Sequence, residues 1–133
     1  MITLNLLKLL ENNGFGTIDK DLLWEKLALG KDGVYISSLG DSHSRGERHS
    51  CRYELYSRSK ESDVAGYQKL KAILEFLEKS FDVCKLPEVK NRNGAIIAPE
   101  VNNVTIMPPT SIANNGLDSN NRIIWTAQGQ IYY

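Results

Sequence analysis

The sequence predicts an α+β fold: a mostly antiparallel β-sheet with a long hairpin, covered on one face by a main helix over 63–81 and a short amino-terminal helix. Three observations predict it. Residues 49–58 alternate with period two, residues 63–81 place apolar side chains at helical spacing, and residues 84–133 break into short β-rich runs separated by Asn, Gly and Pro. At 133 residues the chain reads as a single domain, 1–133, with enough length to bury one core.

The first element is a short helix. Thr3 is placed to cap it, Leu6, Leu7 and Leu10 fall on one face, and Asn12-Asn13-Gly14 is a stop signal in which Gly14 can adopt the left-handed conformation. A helix this short needs packing to persist. Residues 17–29 admit two readings. Asp19 could cap a helix running through Leu27, or the stretch could be extended, with Leu23, Leu27 and Leu29 on one side. Trp24 is large enough to cover a core edge or to serve a subunit contact.

Gly30-Lys31-Asp32-Gly33 reads as a turn and Val34-Tyr35-Ile36 as a strand core. Leu39 to Arg48 is polar and glycine-punctuated, an exposed loop or the tip of a long hairpin. In the strand that follows, Cys51, Tyr53 and Leu55 form the face expected to be buried. Arg52, Glu54, Tyr56 and Arg58 form the face expected to be solvated or to meet a partner.

The main helix follows, with Ser62 or Asp63 as cap. Tyr67, Leu70, Ile73, Leu74, Leu77 and Phe81 recur on one face, and Lys69, Lys71, Glu75, Glu78 and Lys79 occupy much of the rest. It should lie across the sheet. Residues 84–121 are loop-rich. Short strands are expected at Cys84-Lys85-Leu86, Ala95-Ile96-Ile97 and Val104–Met107, with Pro108-Pro109 at an edge or bulge and 114–121 as a loop. Residues 122–133 carry a strong strand signal, with a bulge plausible at Gly129. The Ile131-Tyr132-Tyr133 tail should be paired, into its own sheet or a neighbouring subunit, because frayed tails are usually polar.

Charge excludes little and invites little. Sixteen basic residues balance sixteen acidic ones, so there is no net pull toward nucleic acid or an anionic membrane. Cys51 and Cys84 are expected to be buried free thiols in a reducing compartment. The first residues lack a basic leader region, and no apolar run approaches the roughly twenty residues that cross a bilayer.

No constellation for catalysis stands out. His43 and His49, with Asp41, Glu47 and Cys51, match no established metal-ligand spacing. Ser42 and Ser44 near His43 lack the strained elbow of a hydrolase nucleophile. Gly14-Phe15-Gly16 follows a helix rather than a strand, which is wrong for a nucleotide loop. The expectation is therefore no enzyme activity, no metal and no cofactor. Arg45, Arg48, Arg52 and Arg58, with Tyr56, are the one local basic feature; solvated surface, a protein partner and phosphate contact are the three readings.

The order and texture of Gly33-Val34-Tyr35-Ile36-Ser37-Ser38, Arg52-Tyr53-Glu54-Leu55-Tyr56-Ser57, the 63–81 helix and the strand-rich end from Trp125 to Tyr133 resemble the minor capsid and tail-terminator (tail completion) proteins of long-tailed bacteriophages. Leu29–Ile36, Gly66–Leu70 and Asn121–Trp125 are the most family-like pieces, and 84–121 matches least. The resemblance implies a structural virion protein, not an enzyme. It would form a homo-oligomeric ring, a hexamer in the virion, that caps the tail tube, ends its growth and allows head–tail joining. Implied partners are the tail tube protein and a head completion or connector protein. DNA would only pass through the channel, and no membrane is involved. Implied locations are the virion tail at the head–tail junction, and the host cytoplasm during assembly. The alternative is a generic non-catalytic protein-binding module, monomeric or dimeric.

Ring closure needs two different surfaces on each subunit. The candidate interface residues are Trp24, Arg52, Tyr56, Arg58, Trp125, Tyr132 and Tyr133. The candidate channel or tube-facing loop holds Asp41, His43, Arg45, Glu47 and Arg48.

Overall fold

The computed structural model describes residues 2–25, 32–42, 48–79 and 84–133. Helix α1 spans Ile2–Asn12 and buries Leu6, Leu7 and Leu10 completely. Each such burial contributes about 2 kcal/mol, which compensates for a length that is marginal in isolation. Gly14 ends the helix with a φ of 85°. Thr3 is not a cap. It lies within the helix, buried, and its hydroxyl accepts from Trp24 Nε1 at 2.9 Å.

Of the two readings of residues 17–29, the extended one holds where the chain is described. Strand β1 (Leu22–Trp24) pairs in parallel with β2 (Gly33–Ser42). Asp19 caps no helix; it has a φ of 71° in a turn where Lys20, Asp21 and Leu22 all donate to the Thr17 carbonyl. Leu27, Leu29 and the Gly30-Lys31 half of the expected turn lie outside the described residues, as do His43–Glu47 and Phe81. The polar run from Leu39 begins as strand, because β2 continues to Ser42 across a register shift between Ser38 and Gly40.

Strand β3 (Ser50–Arg58) pairs antiparallel with β2, and helix α2 (Asp63–Glu78) follows, capped by Ser62. Four short strands come next: β4 (Cys84–Leu86), β5 (Val89–Lys90), β6 (Ile96–Ala98) and β7 (Val101–Met107). Then come β8 (Ala113–Leu117), where a loop was expected, and β9 (Ile123–Tyr132). Asn and Gly are poor strand formers, but the Asp118 carboxylate accepts from Asn120 N and Arg122 N and fixes the turn that folds β8 back on β9.

The main sheet has the order β1-β2-β3-β9-β7-β4, with β8 also on β9, while β5 and β6 form a separate two-stranded sheet. Among the described strands, every pairing except β1–β2 is antiparallel. Strand β9 is therefore central. One of its edges carries β3; the other carries β7 and β8 in succession, with Pro108–Ile112 bulging out between them. The paired tail lies in its own sheet: His49 and Tyr133 exchange both backbone hydrogen bonds.

No bulge occurs at Gly129 on the β3 side, where the register runs unbroken from Ser50–Tyr132 to Ser57–Trp125. The glycine is there for space, since a Cβ would lie 2.4 Å from the Tyr53 hydroxyl and 2.6 Å from the Met107 carbonyl oxygen. Both helices contribute to one core with the inner sheet face. Its centre includes Leu6, Leu7, Ile36, Tyr53, Leu70 and Ile131. Phe15, just after α1, packs on Phe76 of α2 with ring centroids 5.2 Å apart. Both cysteines are free thiols, Cys51 buried and Cys84 half-buried.

Candidate assembly surfaces

Antiparallel partners share a sheet face, so the registers assign each candidate. Cys51, Tyr53, Leu55 and Ser57 of β3 sit with Ile131, Gly129, Ala127 and Trp125 of β9 on the inner face. Arg52, Glu54 and Tyr56 sit with Gln130, Gln128 and Thr126 on the outer one, and Tyr132 joins them opposite Ser50. The structure thus gathers Arg52, Tyr56 and Tyr132 on one outer surface.

That surface is less solvated than the period-two pattern suggests. Only Arg52 of the expected polar set on β3 is exposed. Tyr56 stacks on Tyr35 of β2 at 4.3 Å with a 6° interplanar angle. Burial raises the Tyr35 phenol pKa, the Glu54 charge adds to this, and Arg58 opposes it. Glu54 is itself buried and accepts from Gln128 Nε2 at 2.6 Å.

Arg58 must be moved from the candidate interface to the interior, because it is only 5% exposed. Its guanidinium lies 3.5 Å from Asp118, which also pairs with Arg122 at 2.9 Å; Arg122 in turn reaches Asp32 at 2.5 Å. This network joins the start of β2, the end of β3 and the β8–β9 turn. Arg58 is held by its own chain.

The two tryptophans are also engaged internally. Trp24 Nε1 donates to Thr3 on α1, and Trp125 Nε1 donates to the Asp63 carbonyl at 2.9 Å. Tyr67 packs edge-on against Trp125 at 5.2 Å. Both indoles border the core, which accounts for them as packing at the helix–sheet junction. Tyr133 stacks on His49 at 5.3 Å and likewise borders the core.

Among the candidate loop residues, Asp41 is exposed near the end of β2, and His43, Arg45 and Glu47 lie outside the described residues. Arg48 is exposed but committed. It donates to Thr105 Oγ1 at 3.2 Å, to the Tyr132 carbonyl at 3.1 Å and to the Asn103 carbonyl, tying the loop's end to β7 and β9. Among the described residues no group of three or more His, Cys, Asp and Glu side chains is placed to hold a metal ion, and no helix is long and apolar enough to cross a membrane.

Two surfaces emerge that sequence reasoning missed. The first is β8, all five of whose residues are exposed, with Leu117 at 59%. It pairs with β9 on one side only in the described sheet. Beside it, a cleft of about 260 Å³ runs between α2 and the bulge, lined by Tyr67, Leu74, Glu75, Glu78 and Ile112 among others. The second is the β5–β6 hairpin, which presents Ile96 at 55% and Ile97 at 45% exposure. Asn91 Oδ1 accepts from Asn93 N and Ala95 N and shapes the hairpin's turn. Ile96-Ile97 is legible in sequence as a short strand. Its exposure is not, because that depends on the hairpin standing outside the main sheet.

No protein-family model matches the chain, and no curated protein matches it.

Proposed function

We propose that this chain is a structural virion-assembly protein of a long-tailed bacteriophage. It forms a homo-oligomeric ring, a hexamer, that caps the tail tube, stops its growth and allows head–tail joining. It does so without catalysis, and DNA passes through the ring without being read. The tail tube protein meets one side of the ring and a head completion protein the other.

The observation that carries this reading is the presence, on one small domain, of two unlike exposed β surfaces: the edge of β8 that pairs with no other described strand, and the separate β5–β6 hairpin. An unpaired strand edge is a liability that proteins usually blunt or use. A head-to-tail ring uses two different surfaces per subunit, each covered by the other on a neighbour.

The rival reading, a non-catalytic binding module working as a monomer or dimer, draws on the internal pairing of β9, which completes the middle of the sheet within one chain. Light scattering across a concentration series, with negative-stain images of the same samples, separates the two. A hexamer-sized species imaged as a ring is the expected result, with tail tube protein added if assembly needs a tube end. A strict monomer or dimer under both conditions overturns the ring and leaves the binding module.

A further inference from the structure

We propose that the β5–β6 hairpin of one subunit docks into the cleft between α2 and the Thr110–Ile112 bulge of a second copy of this chain. The inference rests on the ring reading and names its subunit contact.

The two surfaces are matched in chemistry. On the hairpin, residues 89–98 carry Lys90 and Arg92 and no acid. Lys90 is the register partner of Ile96, so an exposed apolar side chain stands beside a cation. The cleft is lined by Tyr67, Leu74 and Ile112 together with the polar Thr110 and Ser111, and among its charged lining residues exposed Glu75 and Glu78 outnumber Lys71. An isoleucine with a basic flank meets a mixed cleft whose charged side chains are net acidic. Lys90 also lies 3.4 Å from Glu88, in a solvent-exposed pair; such pairs hold weakly and exchange partners readily.

Within one chain the two surfaces belong to different helices. The hairpin packs on α1, whereas the cleft runs along α2. A contact between unlike surfaces of identical chains propagates around a ring. The docked hairpin would cover its exposed isoleucine and lie against Ile112, the residue before β8.

The test is cross-linking in trans. Ile96→Cys and Ser111→Cys, each in a Cys84→Ser background, are mixed and oxidised with diamide. A covalent dimer is expected in the mixture, above that of either variant alone. Adding Glu75→Lys and Glu78→Lys to the Ser111→Cys chain should cut the yield roughly three- to tenfold. Adding Lys90→Glu and Arg92→Glu to the other chain should restore it, which a misfolded variant could not do. A mixture with no dimer above the single-variant background, or a yield indifferent to the reversals, overturns the docking. Rings seen by light scattering and microscopy without this cross-link overturn the docking and leave the ring reading standing. A charge-dependent cross-link without rings, tail tube protein added, supports the docking and removes the ring.

Discussion

The hydroxyl of Tyr53 occupies the space that any side chain at Gly129 would need. A Cβ there would meet it at 2.4 Å, while the hydroxyl donates to the Met107 carbonyl at 3.1 Å. One buried phenol thus spans β3, β9 and β7, and burial pushes its pKa far above the usual tyrosine range. Gly129→Ala should destabilise the fold by about 1–3 kcal/mol through overpacking. Tyr53→Phe should cost about 1 kcal/mol for the lost hydrogen bond. In the double variant the two losses should stay close to additive, because with the hydroxyl gone the alanine methyl still meets the ring carbon Cζ at 2.5 Å and the Met107 carbonyl oxygen at 2.6 Å. Urea unfolding of the four proteins decides this; a double variant clearly more stable than the summed losses would show that the hydroxyl alone excludes a side chain.

The Asp118 turn should act as an acid-sensitive latch for the β8–β9 hairpin. The backbone N–H of Arg122 holds the Asp118 carboxyl below its ordinary 3.8; burial opposes this, and the Asn120 N–H and the Arg122 charge reinforce it. A carboxylate with a depressed folded pKa stabilises the fold above its unfolded value, and that contribution is lost as pH falls through the folded pKa. Asp118→Asn should therefore lower stability at neutral pH and flatten the decline below pH 3.8. Parallel stability–pH curves for variant and wild type would sink the idea.

The tryptophans should behave as packing residues. Trp24→Phe and Trp125→Phe each remove one hydrogen bond, to Thr3 and to the Asp63 carbonyl, and should cost about 1–2 kcal/mol in thermal or urea unfolding. Neither should weaken self-association. A loss of assembly in a well-folded Trp125→Phe variant would return that indole to the subunit interface.

Thiol chemistry should separate the two cysteines. Burial raises the Cys51 thiol to about 11; the Ser38 hydrogen bond opposes this and Asp41 adds to it. Because the thiolate is the reactive form, mildly alkaline labelling with a disulfide reagent should modify half-buried Cys84 first. Cys51 should react only as the protein unfolds. Equal labelling rates in native protein would contradict its burial.

Much of the fold was legible because its strongest signals are local. The α1 stripe of Leu6, Leu7 and Leu10, the Ser62 cap, the period-two run through Cys51, Tyr53 and Leu55, and the β9 strand all follow from spacing and side-chain type. These are consequences of helix and strand geometry acting within a few residues.

Tertiary structure decided what no local pattern contains. It turned Asn114-Asn115-Gly116 into strand, because β9 offered a free edge and Asp118 fixed the turn. Arg58 was covered, because Asp118, distant in sequence, came within 3.5 Å. Gly129 became a requirement of space rather than of bending, because Tyr53 lies opposite it. Ile96 was left in solvent, because β5 and β6 pair only with each other among the described strands. Periodicity determines which residues share a face; which face stays exposed depends on long-range partners that a single sequence window cannot specify.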